Sequence, residues 1–331
     1  MNAIEAPGGA AWTDAAAEDP VEVAVLAPCY NEETAIGEVV RAFRAALPAA
    51  RVYVYDNNST DRTVEVARAA GAIVRPAPLQ GKGNVVRLMF SDVEADVYVL
   101  VDGDGTYDAA SAPAMIEALR AGRLDMVTGA RVASAQAAYR AGHRFGNRLL
   151  TGLVRAGFGQ GFHDMLSGYR VFSRRFVKSF PAASHGFEIE TELTVYALQM
   201  RLPAREIDTP YAARPEGSAS KLSTVRDGLR ILRMIGLLLR DERPLPFFSA
   251  VAALALVAAA LLSIPVITEY ARTGLVPRVP SLIVAAAGVM VALLSLACGL
   301  ILDAVARGRL EQRRFAYLFA GGPAARGRPA P

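Results

Sequence analysis

The chain has 331 residues, 53% of them hydrophobic, with a mean hydropathy of +0.26 and a formal net charge of +4. That length allows one large domain or two small ones, and its two cysteines, Cys29 and Cys298, exclude a disulfide framework or a zinc site and fit a reducing cytosol. The positive balance does not mark a nucleic-acid binder, because residues 225–245 carry five Arg against three acids, residues 269–278 two against one and residues 303–331 six against two, which leaves −3 on residues 1–224.

Residues 1–20 are rich in Ala, Gly, Pro and acids, lack the basic region and apolar core of a signal peptide, and predict a disordered N-terminal segment. Four apolar runs follow: "VEVAVLAP" (21–28), "RVYVYD" (51–56), "DVYVLVD" (96–102) and "DMVTGA" (125–130). Each predicts a strand. Helical periodicity covers Glu33–Leu47, Thr60–Ala70, Gly83–Ser91 and Ser111–Ala121. Strands alternating with helices predict an α/β domain whose mostly parallel sheet is covered on both faces. Ligands of such sheets sit at the carboxyl ends of the strands.

Polar residues gather at those ends. After the first strand come Pro28, Cys29, Tyr30, Asn31, Glu32 and Glu33. Tyr30 offers a ring to stack on a base and Glu32 a carboxylate to accept from it; Asn31 and the acids equally fit the cap and first turn of a helix. In "DNNSTDRT" (56–63), Asp56 suits a ribose or base edge, and Ser59 or Thr60 a helix cap. "QGKGN" (80–84) resembles a small anion-binding loop at a helix N-terminus, without the spacing of a P-loop. "VLVDGDGTYDA" (99–109) ends an apolar run in Asp102 and Asp104. Buried carboxylates are costly unless paired, hydrogen-bonded or metal-bound. Two oxygen ligands suit Mg²⁺ or Mn²⁺ sharing its shell with phosphates, and Gly103 and Gly105 leave room for a phosphate. The alternative is that both acids cap the next helix.

Beyond residue 140 glycine is frequent and "HDMLSGYR" and "HGFEIETEL" stand out. Glu188, Glu190 and Glu192 predict a helix on which Glu188 and Glu192, four apart, share a face; one orients an acceptor-site arginine, or both are exposed. Val225–Leu239 mingles apolar residues with Arg226, Arg230 and Arg233, as an interface helix or one docked on the domain would. Phe247–Thr268 and Val279–Leu302 carry no charge over 22 and 24 residues. At about 1.5 Å per residue each reaches roughly 33 Å, enough to cross a hydrocarbon core of about 30 Å. Two buried core helices are the alternative. Arginines before the first span and after the second place both ends in the cytoplasm. Neither span holds an ionisable residue, which argues against a transporter.

In order, "APCYNEE", "VYVYDNNSTDRT", "QGKGNVV", "VLVDGDGTYD", "TGAR", "MLSGYRVFSR" and "SKL" resemble glycosyltransferase family 2, and within it the polyprenyl-phosphate (dolichyl-phosphate) sugar synthases. The resemblance covers residues 21–224. It implies a GT-A (Rossmann-like) domain that passes a sugar from a nucleotide-diphosphate sugar to a lipid monophosphate with inversion. Pro28, Tyr30, Glu32, Asp56, Asn58, Lys82, Gly83 and Asp102 match the nucleotide site, and Asp102 and Asp104 the metal ligands. Asp104, Arg131, Arg170, Arg214 and Lys221 match residues around the reacting phosphates. Ser167, Gly168 and Ser220 match the acceptor side, to which Arg144 and Arg148 are added as arginines suited to phosphate. Many members read D-x-D-x-Q; here Thr106 stands at the Gln position, and a hydroxyl or water takes its place.

The expected order is a disordered segment (1–20), the GT-A domain (21–224), an amphipathic juxtamembrane helix (225–245), a transmembrane hairpin (246–302) and a basic cytoplasmic tail (303–331). The expected site is the inner membrane, with the catalytic domain on the cytoplasmic side and homo-oligomerisation left open. A polysaccharide acceptor disagrees with Trp12 being the sole tryptophan, since processive relatives carry Q-x-x-R-W. Another lipid acceptor, or a non-catalytic nucleotide-binding membrane protein, completes the alternatives.

Overall fold

The computed structural model describes residues 21–133, 152, 162–214, 232–233 and 236–320. Among them, strands β1 (Val23–Cys29), β2 (Arg51–Asp56), β3 (Ile73–Pro76), β4 (Val97–Leu100), β5 (Met126–Ala133), β6 (Arg170–Ser173) and β7 (Ala204–Tyr211) form one sheet in the order β3-β2-β1-β4-β6-β5-β7. All neighbours are parallel except β6, which runs antiparallel between β4 and β5. Helices α1 (Ile36–Ala46), α2 (Thr63–Ala69), α3 (Lys82–Asp92), α4 (Ala112–Ala121), α5 (Arg174–Ser179) and α6 (Ile189–Met200) accompany it.

The period-two alternation of the strands sorts side chains onto two faces. Leu26, Tyr53, Tyr55, Tyr98 and Leu100 pack with Met89, Phe90, Phe176 and Tyr196 on one side. Val25, Ala27, Val52, Val54, Val97 and Val99 pack with Val40, Phe43 and Met115 on the other. The four expected strands are present, whereas β3, β6 and β7 were not anticipated. β3 and β6 have four residues each, too few for a period, and β7 is a charged edge strand containing Pro210.

Asn31 does not cap α1, whose cap position is Ala35 without a side-chain bond. Asn31 instead adopts φ +52°, and its Oδ1 accepts from Thr60 N at 2.7 Å. Asn31 N donates to Ser59 Oγ and Glu32 N to Thr63 Oγ1, both at 2.8 Å. The loop after β1 is thereby laced to the loop after β2, which fixes two of the strand ends relative to each other.

Two further helices, α7 (Pro244–Thr273) and α8 (Val279–Phe319), form an antiparallel pair, each long and apolar enough to cross a membrane. They meet along small residues: Ala252, Ala259, Ala285, Ala292 and Gly299 are buried, while Leu254, Leu261, Ile267, Leu293 and Ile301 stay exposed. α8 continues beyond the apolar stretch and docks on the sheet domain. Tyr317 OH donates to Asp125 Oδ2 at 2.7 Å, Arg313 reaches Glu242 at 2.8 Å and Gln199 at 3.2 Å, and the Arg175 guanidinium lies 5.1 Å over the Tyr317 ring.

Candidate active site

β4 stops at Leu100 and delivers Asp102, Gly103 and Asp104 to the carboxyl edge of the sheet. Leu100 pairs with Arg170, the first residue of antiparallel β6, so the chain just before β6 returns to that same edge. Gly168 therefore lies against Asp102: a Cβ there would come within 2.6 Å of Asp102 Oδ2. The backbone passes the carboxylate at a distance only glycine permits. Gly168 N donates to Tyr107 OH at 2.8 Å, and Ser167 Oγ donates to Gly129 O at 2.6 Å.

Both acids face cations. Lys82 Nζ lies 2.5 Å from Asp102 Oδ1 and also contacts Glu190 Oε1. Arg214 Nη2 lies 2.6 Å from Asp104 Oδ2. Burial pulls the Lys82 ammonium down, but the Asp102 and Glu190 carboxylates outweigh it and hold it well above the usual range. Burial pushes the Glu190 carboxyl up, partly offset by Lys82. Thr106 is buried, and its N–H and Oγ1 donate to Asp104 Oδ1 at 3.1 and 2.7 Å. Its hydroxyl hydrogen is thus spent on holding Asp104.

The residues expected on the nucleotide side lie at the ends of β1 and β2 and in the laced loops. Tyr30 is 38% exposed, and Pro28 pairs with Tyr55 in the β1–β2 register. Both Asp56 oxygens accept from Ser59 N at 3.3 Å. Asn58 sits at φ +65° and donates to Pro78 O and Gln80 Oε1 at 3.1 and 3.0 Å. Glu32 is buried. In the 80–84 loop two of the N–H groups are taken by the protein itself. Gly81 N donates to Asn57 Oδ1 and Asn84 N to His185 O, and a Cβ on Gly83 would meet Ser184 O at 2.3 Å. The Ser184 and His185 carbonyls thus lie against the start of α3; Gly83 packs against that backbone, and the Lys82 side chain turns to Asp102 and Glu190.

Arg131, near the carboxyl end of β5, is clamped by Asp164, to which Nε and Nη2 both donate at 2.7 Å, and lies 5.5 Å over the Tyr211 ring. Arg170 corrects the expectation of a phosphate-facing arginine. It is fully buried, and its guanidinium donates to Ser167 O at 3.0 Å, Met165 O at 2.6 Å and Glu190 O at 3.1 Å. Burial lowers it to about 10. It props the 165–168 turn and the start of α6 from below. Among the described residues, Glu192 accepts from Ala183 N and Ser184 N at 2.8 Å rather than from an arginine. Arg144, Arg148, Ser220 and Lys221 lie outside the described residues. The residue that sequence reasoning left without a role at the acid pair is Glu190, whose partner Lys82 is 108 positions away; its only sequence signal is its place among three glutamates.

The family model described as Glycosyl transferase family 2 matches residues 24–180. Glycosyltransferase AglJ of Haloferax volcanii is 37% identical over 234 residues, 70% of this chain and 77% of that protein. A dolichyl-phosphate hexose transferase of the same organism is 27% identical over 222 residues, 67% of this chain and 96% of that protein. The crystal structure of glucosyl-3-phosphoglycerate synthase from Mycobacterium tuberculosis with Mn²⁺, uridine diphosphate and glucosyl-3-phosphoglycerate superimposes with a TM-score of 0.55 at 22% identity, covering 65% of this chain and 80% of that one.

Proposed function

This chain belongs to glycosyltransferase family 2 and has its GT-A fold, and on that premise we propose that it is a membrane-anchored, metal-dependent, inverting enzyme that moves a sugar from a UDP- or GDP-sugar to polyprenyl phosphate. The observation that carries this reading is the pair Asp102 and Asp104 at the strand end, ringed by Lys82 and Arg214, in a chain that also holds two apolar helices of membrane-crossing length.

The donor set fits a hard divalent cation. Two carboxylates supply oxygen, and among the described residues no group of three His, Cys, Asp or Glu forms a closed cage. Mg²⁺ or Mn²⁺ held by Asp102 and Asp104 would keep positions for diphosphate oxygens and water, and would offset the charge of the leaving diphosphate. The fold neighbour was crystallised with Mn²⁺ and uridine diphosphate, and one relative is a dolichyl-phosphate hexose transferase; both support the assignment of substrates. Pro28, Tyr30, Glu32, Asp56 and Asn58 are assigned to base and ribose, with the half-exposed Tyr30 ring as stacking platform.

A lipid phosphate is ionised at neutral pH and needs no general base. Its oxygen attacks the anomeric carbon from the face opposite the diphosphate, the carbon–oxygen bond to the nucleoside diphosphate breaks, and the configuration inverts. The protein must bring two anions together, so its contribution is positive charge fixed in advance. Arg131, held rigid by Asp164, and Arg214 are assigned to that task with Lys221, and Arg144, Arg148, Ser167, Gly168 and Ser220 to the acceptor side. The Arg-rich flanks of the helical hairpin support a reading in which the catalytic domain and both flanks of the hairpin face the cytoplasmic side of the inner membrane.

The test uses purified protein in detergent with undecaprenyl phosphate, Mn²⁺ or Mg²⁺ and a panel of UDP- and GDP-sugars. Nucleoside diphosphate release and glycolipid formation are followed together. Release that requires lipid and metal and vanishes in Asp104→Ala establishes the reaction and names the donor. Release without glycolipid assigns another acceptor, and tight nucleotide binding with no turnover on any donor rejects the catalytic reading.

A further inference from the structure

The Lys82 ammonium is shared between two carboxylates brought from separate elements. Lys82 opens α3, Asp102 follows β4, and Glu190 lies in the first turn of α6. The lysine and glutamate side chains are 8% and 6% exposed. Glu190 Oε1 touches Lys82, whereas Glu190 Oε2 is buried and, among the described residues, accepts no hydrogen bond. A buried carboxylate oxygen without a donor is costly. The fold keeps one beside an ammonium that is also bound to a metal-ligand candidate.

We propose that Lys82 is the resident counter-ion of the metal site and that Glu190 is a positioning residue that receives it. On arrival of a divalent cation at Asp102 and Asp104, the ammonium leaves Asp102 and rests wholly on Glu190, whose bare oxygen then gains a donor. The inference rests on the assignment of Asp102 and Asp104 as metal ligands.

The physical need is plain. Asp102 and Asp104 repel each other when no cation lies near. Lys82 and Arg214 relieve that repulsion, but a counter-ion fixed on Asp102 would also compete with the metal. A lysine is a point charge on a flexible four-carbon stem and moves without rebuilding the backbone. Glu190 gives it a second anion within reach, so releasing Asp102 does not leave the ammonium buried and unpaired.

Glu190→Gln removes that second anion and strands Lys82 on Asp102. Mn²⁺ affinity is expected to fall about tenfold or more, the scale of one charge-assisted hydrogen bond. The double variant Lys82→Gln/Glu190→Gln removes the competitor as well, and affinity is expected to return to the wild-type level or above it. The full chain in detergent is titrated with Mn²⁺, with uridine diphosphate in one arm and guanosine diphosphate in the other, and the free ion is read by electron paramagnetic resonance. Asp104→Asn serves as the control.

Weak binding in the single variant with recovery in the double variant supports the inference. Wild-type binding in Glu190→Gln, with loss in Asp104→Asn, overturns it and leaves the metal assignment standing. Weak binding in both Glu190 variants assigns Glu190 a purely structural role and overturns it too. No Mn²⁺ uptake by the wild type in either arm rejects the metal assignment, and the inference falls with it.

Discussion

Arg170 and Arg214 use their guanidinium groups differently. Arg170 spends its guanidinium on three backbone carbonyls with no exposure, whereas Arg214 is partly exposed and bonded to Asp104. Arg170→Met is expected to cost about 3 kcal/mol or more of stability by orphaning those carbonyls, read as a lowered thermal midpoint. Arg214→Met is expected to leave that midpoint in place and to cut turnover. Gly168→Ala would drive a Cβ into the Asp102 carboxylate, and kcat is expected to fall at least tenfold, measured by nucleoside diphosphate release. Tyr55 is pushed up to about 12 by burial, and burial raises Tyr107 and Tyr169 further. Unfolded tyrosines ionise near 10.0 while these keep their protons, so the unfolded state binds fewer protons and stability falls as pH rises above about 10. Denaturation midpoints across about pH 9 to 12 check the sign. At this scale the acid pair was legible, because an apolar run ending in two aspartates has few cheap explanations. The use of Arg170 was not, since a matched motif carries no burial; nor was the pairing of Glu190, since no local pattern encodes a contact 108 positions away.

Elements were legible where they are long and periodic. β1, β2, β4 and β5 fell on apolar runs and α1 to α4 on helical ones. The antiparallel β6 did not, yet it is the strand that brings Ser167 and Gly168 back to the acids. The packing of Ser184 and His185 on the 80–84 loop could not be read from the loop's own sequence, because both arrive from the segment before α6. The α7–α8 pair depends on absent side chains. A Cβ on Gly299 would lie 3.0 Å from Phe248 Cβ, and one on Gly288 3.2 Å from Ala259 Cβ. Gly299→Leu is expected to force the helices apart at a cost of about 1–3 kcal/mol, detected as a lower melting temperature in detergent with the sheet domain still folded.

At the scale of the whole molecule, the sheet domain and the hairpin are joined by polar contacts on a buried acid. Asp125 is 0% exposed and accepts from Ser173 Oγ, Arg175 Nε and Tyr317 OH. Tyr317→Phe removes one of these donors and is expected to loosen the end of α8 by about 1 kcal/mol, seen as faster hydrogen exchange there without a change in the exchange of β1 or β4. The two apolar helices were visible in composition alone; their anchorage was not, because it is made by single residues of unremarkable type. α8 is 41 residues long, about 60 Å at 1.5 Å per residue, roughly twice the hydrocarbon thickness of a bilayer. On the proposed membrane placement, a rod of that length, bolted to the sheet at one end, would work as a gauge: it would set the altitude of the aspartate pair above the lipid rather than leave it to a slack tether. On the same proposal, a lipid acceptor whose tail stays in the bilayer would meet the aspartate pair at one height, while the water-soluble donor would do the travelling.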